Sequence, residues 1–284
     1  MNIFADLKTW RFWKGFLIKT FACGGFISAI FQFVIIVFPS QATSLQGLCV
    51  VVGTVIISII FGLIVSWPRP IEMDYSAPKT RIKIIKGDLL EQDGHLVVGV
   101  CDTFDTELPN IISPRSLLGQ TIHNIFGGDI KNLDEQLHHT LSKLTPVGKI
   151  EKEGKKEKYG VSTVVAVRHA PRIIYFLSYC EMNQRNEAFG TVDGVWKSLV
   201  SLWDKQSEVG NHGPISVPVI GGGQARMSHL LPAQDSIRLI ALSFMFASRK
   251  YKISDELRIV VQPSDYDRLD RLELQSFLSS LSPS

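Results

Sequence analysis

Residues 215–226 read ISVPVIGGGQAR, a short apolar run that stops at three glycines. The run from Ile215 to Ile220 has the length and branched content of a buried strand. Gly221, Gly222 and Gly223 end it. Glycine adopts positive φ and lets the backbone approach a ligand with no Cβ in the way. Consecutive amides in such a turn can form a nest for a diphosphate. Gln224 and Ala225 carry the turn on to Arg226, which offers a fixed positive charge or points to solvent. A glycine-rich turn by itself equally fits a plain loop. Its place after a strand and before a helix is what favours binding, because ligands in α/β sheets sit beyond strand C-termini.

Outward from this point strands and helices alternate. Downstream come a helix over 233–248, a strand over 257–261 and a terminal helix over 265–281. Upstream, 193–205 is a helix with Val195, Leu199, Leu202 and Trp203 on one face. Before it, 160–168 and 172–180 read as strands, and 116–126 and 132–144 as helices. Residues 95–101 (HLVVGVC) form the near-continuous apolar run of a central strand, and 81–86 (RIKIIK) form a first strand. The pattern predicts a mixed α/β layered sheet. Gly87, Asp88 and Leu89 follow that first strand. Asp88 can accept from an exocyclic amine such as adenine's, or simply cap a turn. The stretch 101–107 (CDTFDTE) is an acidic loop directly after the central strand.

The N-terminal quarter is different. No Asp, Glu, Lys, Arg or His occurs from Thr20 to Trp67. Within it, 20–38 and 48–67 each supply the roughly 20 apolar residues that a transmembrane helix needs. The segment 39–47 (PSQATSLQG) is short and turn-prone, so the two spans form a hairpin. A cleaved signal peptide is disfavoured because a second span follows at once without a small-residue cleavage pattern. Lys8, Arg11, Lys14 and Lys19 precede the first span, and Arg69, Lys79, Arg81 and Lys83 follow the second. This asymmetry puts both termini in the cytoplasm, at the inner membrane of a bacterium, with Trp10, Trp13 and Trp67 as interfacial anchors. Gly24, Gly25 and Ser28 offer small residues for helix contact. With no ionisable group inside the spans, nothing marks an ion pathway. Residues 1–67 are thus expected to be an anchor, 68–79 an extended linker with three prolines, and 80–284 a cytoplasmic domain.

Charge and cysteine usage remove other classes. The net charge of +3 divides unevenly: residues 1–86 hold nine Lys/Arg against three Asp/Glu, and the remainder 21 against 24. The soluble part is mildly acidic, which excludes a nucleic-acid partner. Four cysteines and seven histidines are scattered without ligand spacing, so neither a disulfide framework nor a metal site is expected.

Taken together, Gly87-Asp88-Leu89, the strand ending at Cys101-Asp102, Pro146-Val147-Gly148 and the glycine turn at 221–226 resemble a macro domain. That fold is a three-layer α/β/α mixed sheet that binds ADP-ribose. The combination of two N-terminal spans with 101–107 and 112–120 (ISPRSLLGQ) is similar to the membrane-bound macro-domain effector of type II Thoeris anti-phage defence. The resemblance implies a receptor, not an enzyme: a partner TIR-domain protein makes an ADP-ribose derivative, histidine-ADP-ribose being expected. Its binding would drive oligomerisation and membrane disruption, ending in abortive infection. Carried over by position, Asp88 meets adenine with Leu89 lining the base. Asp102 and Thr103 stand at the ribose side, Gly119 and Gln120 where a first diphosphate turn enters its helix, Gly221 to Arg226 around the diphosphate, and Pro263 at the adenine edge. The usual Asn-Ala-Ala-Asn is replaced by Gly99-Val100-Cys101-Asp102, which argues against ADP-ribosyl hydrolysis, the alternative activity. Asp102, Asp105 or Glu107 would then meet a cationic group on the ligand.

Overall fold

The computed structural model describes residues 10–41, 45, 47–67, 70–222 and 227–282. It divides into two compact units, 1–70 and 71–284.

The first unit is a helical hairpin. Helix α1 (Trp10–Val37) and helix α2 (Leu48–Ser66) flank a short 3-10 turn, Pro39–Gln41. Both are long and apolar enough to cross a membrane. Their large side chains point outward: Phe21 is 75% exposed, Ile36 77% and Leu48 79%. Such surface suits lipid contact. Helix α1 starts ten residues before the expected span, so its 28 residues reach about 42 Å at 1.5 Å per residue. Lys19 Nζ donates to the Val65 carbonyl at 3.1 Å, joining α1 to the last turn of α2. Of the small residues expected at the contact, only Gly24 serves: a Cβ there would lie 3.2 Å from Ser58 Oγ. Gly25 has open space and Ser28 is exposed. Gly62 takes their place, facing Thr20 and the Phe16 ring.

The second unit is one eight-stranded sheet between helical layers. Its strands are β1 (Ile71–Ser76), β2 (Lys79–Lys86), β3 (His95–Cys101), β6 (Val164–His169), β7 (Arg172–Met182), β8 (Ala188–Gly190), β9 (Ile215–Pro218) and β10 (Glu256–Val261). A separate two-stranded ribbon pairs β4 (Gly148–Lys149) with β5 (Glu157–Lys158). The order is β1-β2-β10-β9-β3-β7-β6, with β8 on the far half of β7. The five strands from β2 to β7 are parallel, and β1, β6 and β8 are antiparallel additions. Helices α3 (Leu117–Asn124) and α4 (Ile130–Leu141) cover one face. Helices α5 (Val192–Val209), α6 (Ala233–Ser248) and α8 (Arg271–Ser280) cover the other. In β3, Val98 and Val100 face the first layer while Val97 faces the second, as a strand buried on both sides requires.

Two expected boundaries move. Residues 71–76 are not linker: β1 pairs with β2 across a two-residue turn, buries Ile71 and Tyr75, and Tyr75 Oη donates to the Leu278 carbonyl at 2.6 Å. The terminal helix is broken into α7 (Pro263–Tyr266) and α8, because Asp270 caps the second piece by accepting from the amides of Leu272 and Glu273 at 3.1 Å each.

Candidate ligand cavity

A cavity of about 1180 Å³ opens at the C-terminal ends of the parallel strands. One wall is the turn after β2. Asp88 is exposed there, and its Oδ1 accepts from the Leu90 amide at 2.9 Å, the turn-capping role expected as its alternative. Leu89 is buried behind it against Leu96 and Val260. The opposite wall is the glycine turn after β9. Gly221 has φ +103, which a side chain tolerates poorly, and its carbonyl accepts from the Met227 amide. The Ile220 amide donates to buried Ser236 Oγ, fixing the root of the turn to α6. Gly222 is exposed, with no heavy atom within 4 Å of the place a Cβ would occupy. Gly223, Gln224, Ala225 and Arg226 lie outside the described residues.

Helix α3 points its first turn at the same space. Ser116, Leu117, Leu118 and Gln120 line the cavity, and a helix N-terminus favours anionic groups. Gly119 does not line it. Its amide donates to the Ser116 cap at 3.1 Å, and a Cβ would press on Ser113 O and lie 2.8 Å from Pro114 Cα. Its smallness is needed for packing against the preceding loop. Gln120 donates from Nε2 to the Arg115 carbonyl at 2.9 Å. Pro263 lines the cavity beside Gln262.

Asp102 and Thr103 depart most from expectation. Both are fully buried and neither lines this cavity. Asp102 Oδ1 accepts from the Met182 amide at 2.9 Å, and its Oδ2 lies 3.1 Å from Lys158 Nζ without hydrogen-bond direction. Burial pushes its carboxyl above the ordinary value, against the pull of Met182 and Lys158. Thr103 donates to Asp105 Oδ2 and lines a separate cavity of about 380 Å³ with Asp134 and His138. Asp105 lines the main cavity while accepting from Lys152 Nζ and the Lys155 amide, whereas Glu107 faces solvent away from it. Asp102 and Asp105 turn their charges onto the lysines of 152–158.

Sequence reasoning missed the floor and the far rim. Cys101, Tyr179, Cys180 and Met182 form the floor, with Phe189 and His229 toward the rim. Strand β8 is three residues long, too short for periodicity to show. Among the described residues no cluster of His, Cys, Asp and Glu suits a metal.

A parallel-centred sheet between two helical layers, with a large cavity beyond the strand ends, matches the arrangement of a macrodomain-like fold. One solved structure shares the fold. A mutant Oceanobacillus iheyensis macrodomain is 15% identical with a TM-score of 0.51, over 74% of this chain and 98% of that one. A second mutant is 14% identical with 0.49, over 75% and 95%. A third, solved with ADPR, is 14% identical with 0.48, over 74% and 96%. No curated protein matches the chain significantly. The family described as Thoeris protein ThsA, Macro domain, matches residues 82–262, and the chain belongs to that family.

Proposed function

We propose that this chain is a nucleotide-signal-gated membrane effector of bacterial anti-phage defence. The cavity takes an ADP-ribose derivative, histidine-ADP-ribose in our reading, supplied by a TIR-domain enzyme. Binding promotes oligomerisation, and the helical hairpin then disrupts the inner membrane and aborts the infection. The observation that carries this reading is the large cavity framed by Asp88 on one side and Gly221 and Gly222 on the other. Its volume exceeds the roughly 300–1,000 Å³ typical of small-molecule sites, so a nucleotide with an added group has room. Membership of the ThsA macro family supports the defence role.

Magnitudes are compatible with gating. Driving a two-state switch from 1:99 to 99:1 takes about 5.5 kcal/mol of differential affinity, and a micromolar ligand supplies about 8 kcal/mol in total. Most contacts must therefore exist only in the active state. Clustering lets several ligands contribute.

Asp102 is withdrawn from the cavity and engaged with Met182 and Lys158, which supports a receptor over an ADP-ribosyl hydrolase. Calorimetry of the purified chain against ADP-ribose and histidine-ADP-ribose tests the reading. Saturable binding without turnover is expected, and Gly222→Val should abolish it while preserving the fold. Release of free ADP-ribose would establish the hydrolase instead. A reporter fused after residue 284 should be active only as a cytoplasmic reporter; one inserted in 39–47 should behave as periplasmic.

A further inference from the structure

Cys101 ends β3 and Cys180 lies near the end of β7, 79 residues on. No sequence spacing joins them, but the sheet does. The two strands pair in parallel from Leu96–Ile174 to Val100–Ser178, where a bulge shifts the register by one residue and sets Cys101 opposite Cys180 instead of Tyr179. Their sulfurs are 3.0 Å apart, both thiols are free, and both line the cavity floor. Adjacent strands lie about 4.8 Å apart, inside the roughly 4.4–6.8 Å Cα separation that a disulfide spans. Bond formation at about 2.05 Å requires a sulfur movement of about 1 Å.

We infer that Cys101 and Cys180 form a reversible dithiol–disulfide pair in the cavity floor, oxidised by hydrogen peroxide. The inference rests on the two strands and is independent of the ligand's identity. Cys101 is the partly accessible thiol, whereas Cys180 is 2% exposed, so Cys101 is the attacking group. Its thiolate attacks a peroxide oxygen, the O–O bond breaks, and a sulfenic acid forms as hydroxide leaves and takes up the thiol proton as water. Cys180 sulfur then attacks the sulfenic sulfur. The S–S bond forms, the S–O bond breaks, and the departing hydroxide takes the Cys180 proton as a second water. Two thiols are oxidised by two electrons in all, and the peroxide is reduced. The product ties the ends of β3 and β7 covalently beneath whatever occupies the cavity.

The test uses the full chain, purified reduced in detergent, treated with hydrogen peroxide, alkylated and digested without reductant. We expect the peptides containing Cys101 and Cys180 to appear joined, two hydrogens lighter than their sum, and to separate on reduction. Cys101→Ser and Cys180→Ser should each remove the joined peptide, and Cys180→Ser should yield a dimedone adduct on Cys101. Recovery of Cys101 as a sulfinic acid or an alkylated thiol with Cys180 still free would overturn the inference. The wild-type map decides this alone, so a misfolded variant does not blur the outcome.

Discussion

Asp105 and Lys152 form an ion pair at 2.8 Å with side chains 1% and 0% exposed, joining the loop after β3 to the charged insertion around β4 and β5. A buried pair gains little over a well-packed apolar replacement, but losing one partner strands the other's charge. The Lys155 amide and Thr103 hydroxyl also converge on Asp105, so this carboxylate organises the whole loop.

Removing the cation should therefore be costly. Lys152→Met should destabilise the chain by about 3–5 kcal/mol, read from urea unfolding. A loss smaller than that of an exposed ion pair, about 1 kcal/mol or less, would show that the loop is held by other contacts.

Two glycines of the candidate site should respond in opposite ways. Gly119→Ala places a methyl against the backbone of Ser113 and Pro114 and should cost about 1–3 kcal/mol. Gly222→Ala meets open space and should leave the unfolding midpoint unchanged. Equal effects on stability would contradict this assignment of packing to one and cavity wall to the other.

The Asp102 carboxyl has a definite pH signature. Burial raises it above the ordinary 3.8 despite Met182 and Lys158. Between the unfolded and the raised value the folded state holds more proton, so stability declines as pH rises through that window. The contribution is fully present below 3.8 and gone above the raised value. Asp102→Asn cannot titrate. Urea midpoints of wild type minus variant should thus fall as pH is raised from acid toward neutrality; a flat difference would refute a burial-dominated shift.

In the hairpin, Gly62→Ile should force α1 and α2 apart at Thr20 and Phe16, while Gly25→Ile projects into open space. Thermal unfolding in detergent should fall by several degrees for the first, consistent with an overpacking cost of about 1–3 kcal/mol, and hold for the second. The reverse order would place the helix contact elsewhere.

Sequence alone determined the two apolar spans, the order of the main strands and helices, and the two turns that face each other across the cavity. Those features are written in local periodicity: an uninterrupted apolar run of membrane length, a strand ended by glycines, an aspartate after a strand. Tertiary structure decided the rest. The strand Ile71–Ser76 was hidden among prolines because its stability comes from pairing with β2 and packing under α8. Asp102 and Thr103 looked like cavity residues because they follow a central strand. Only the inserted lysines, more than 45 residues downstream, draw that acidic loop inward. The contact between Cys101 and Cys180 depends on a one-residue bulge, and register is a property of paired strands that neither strand carries by itself.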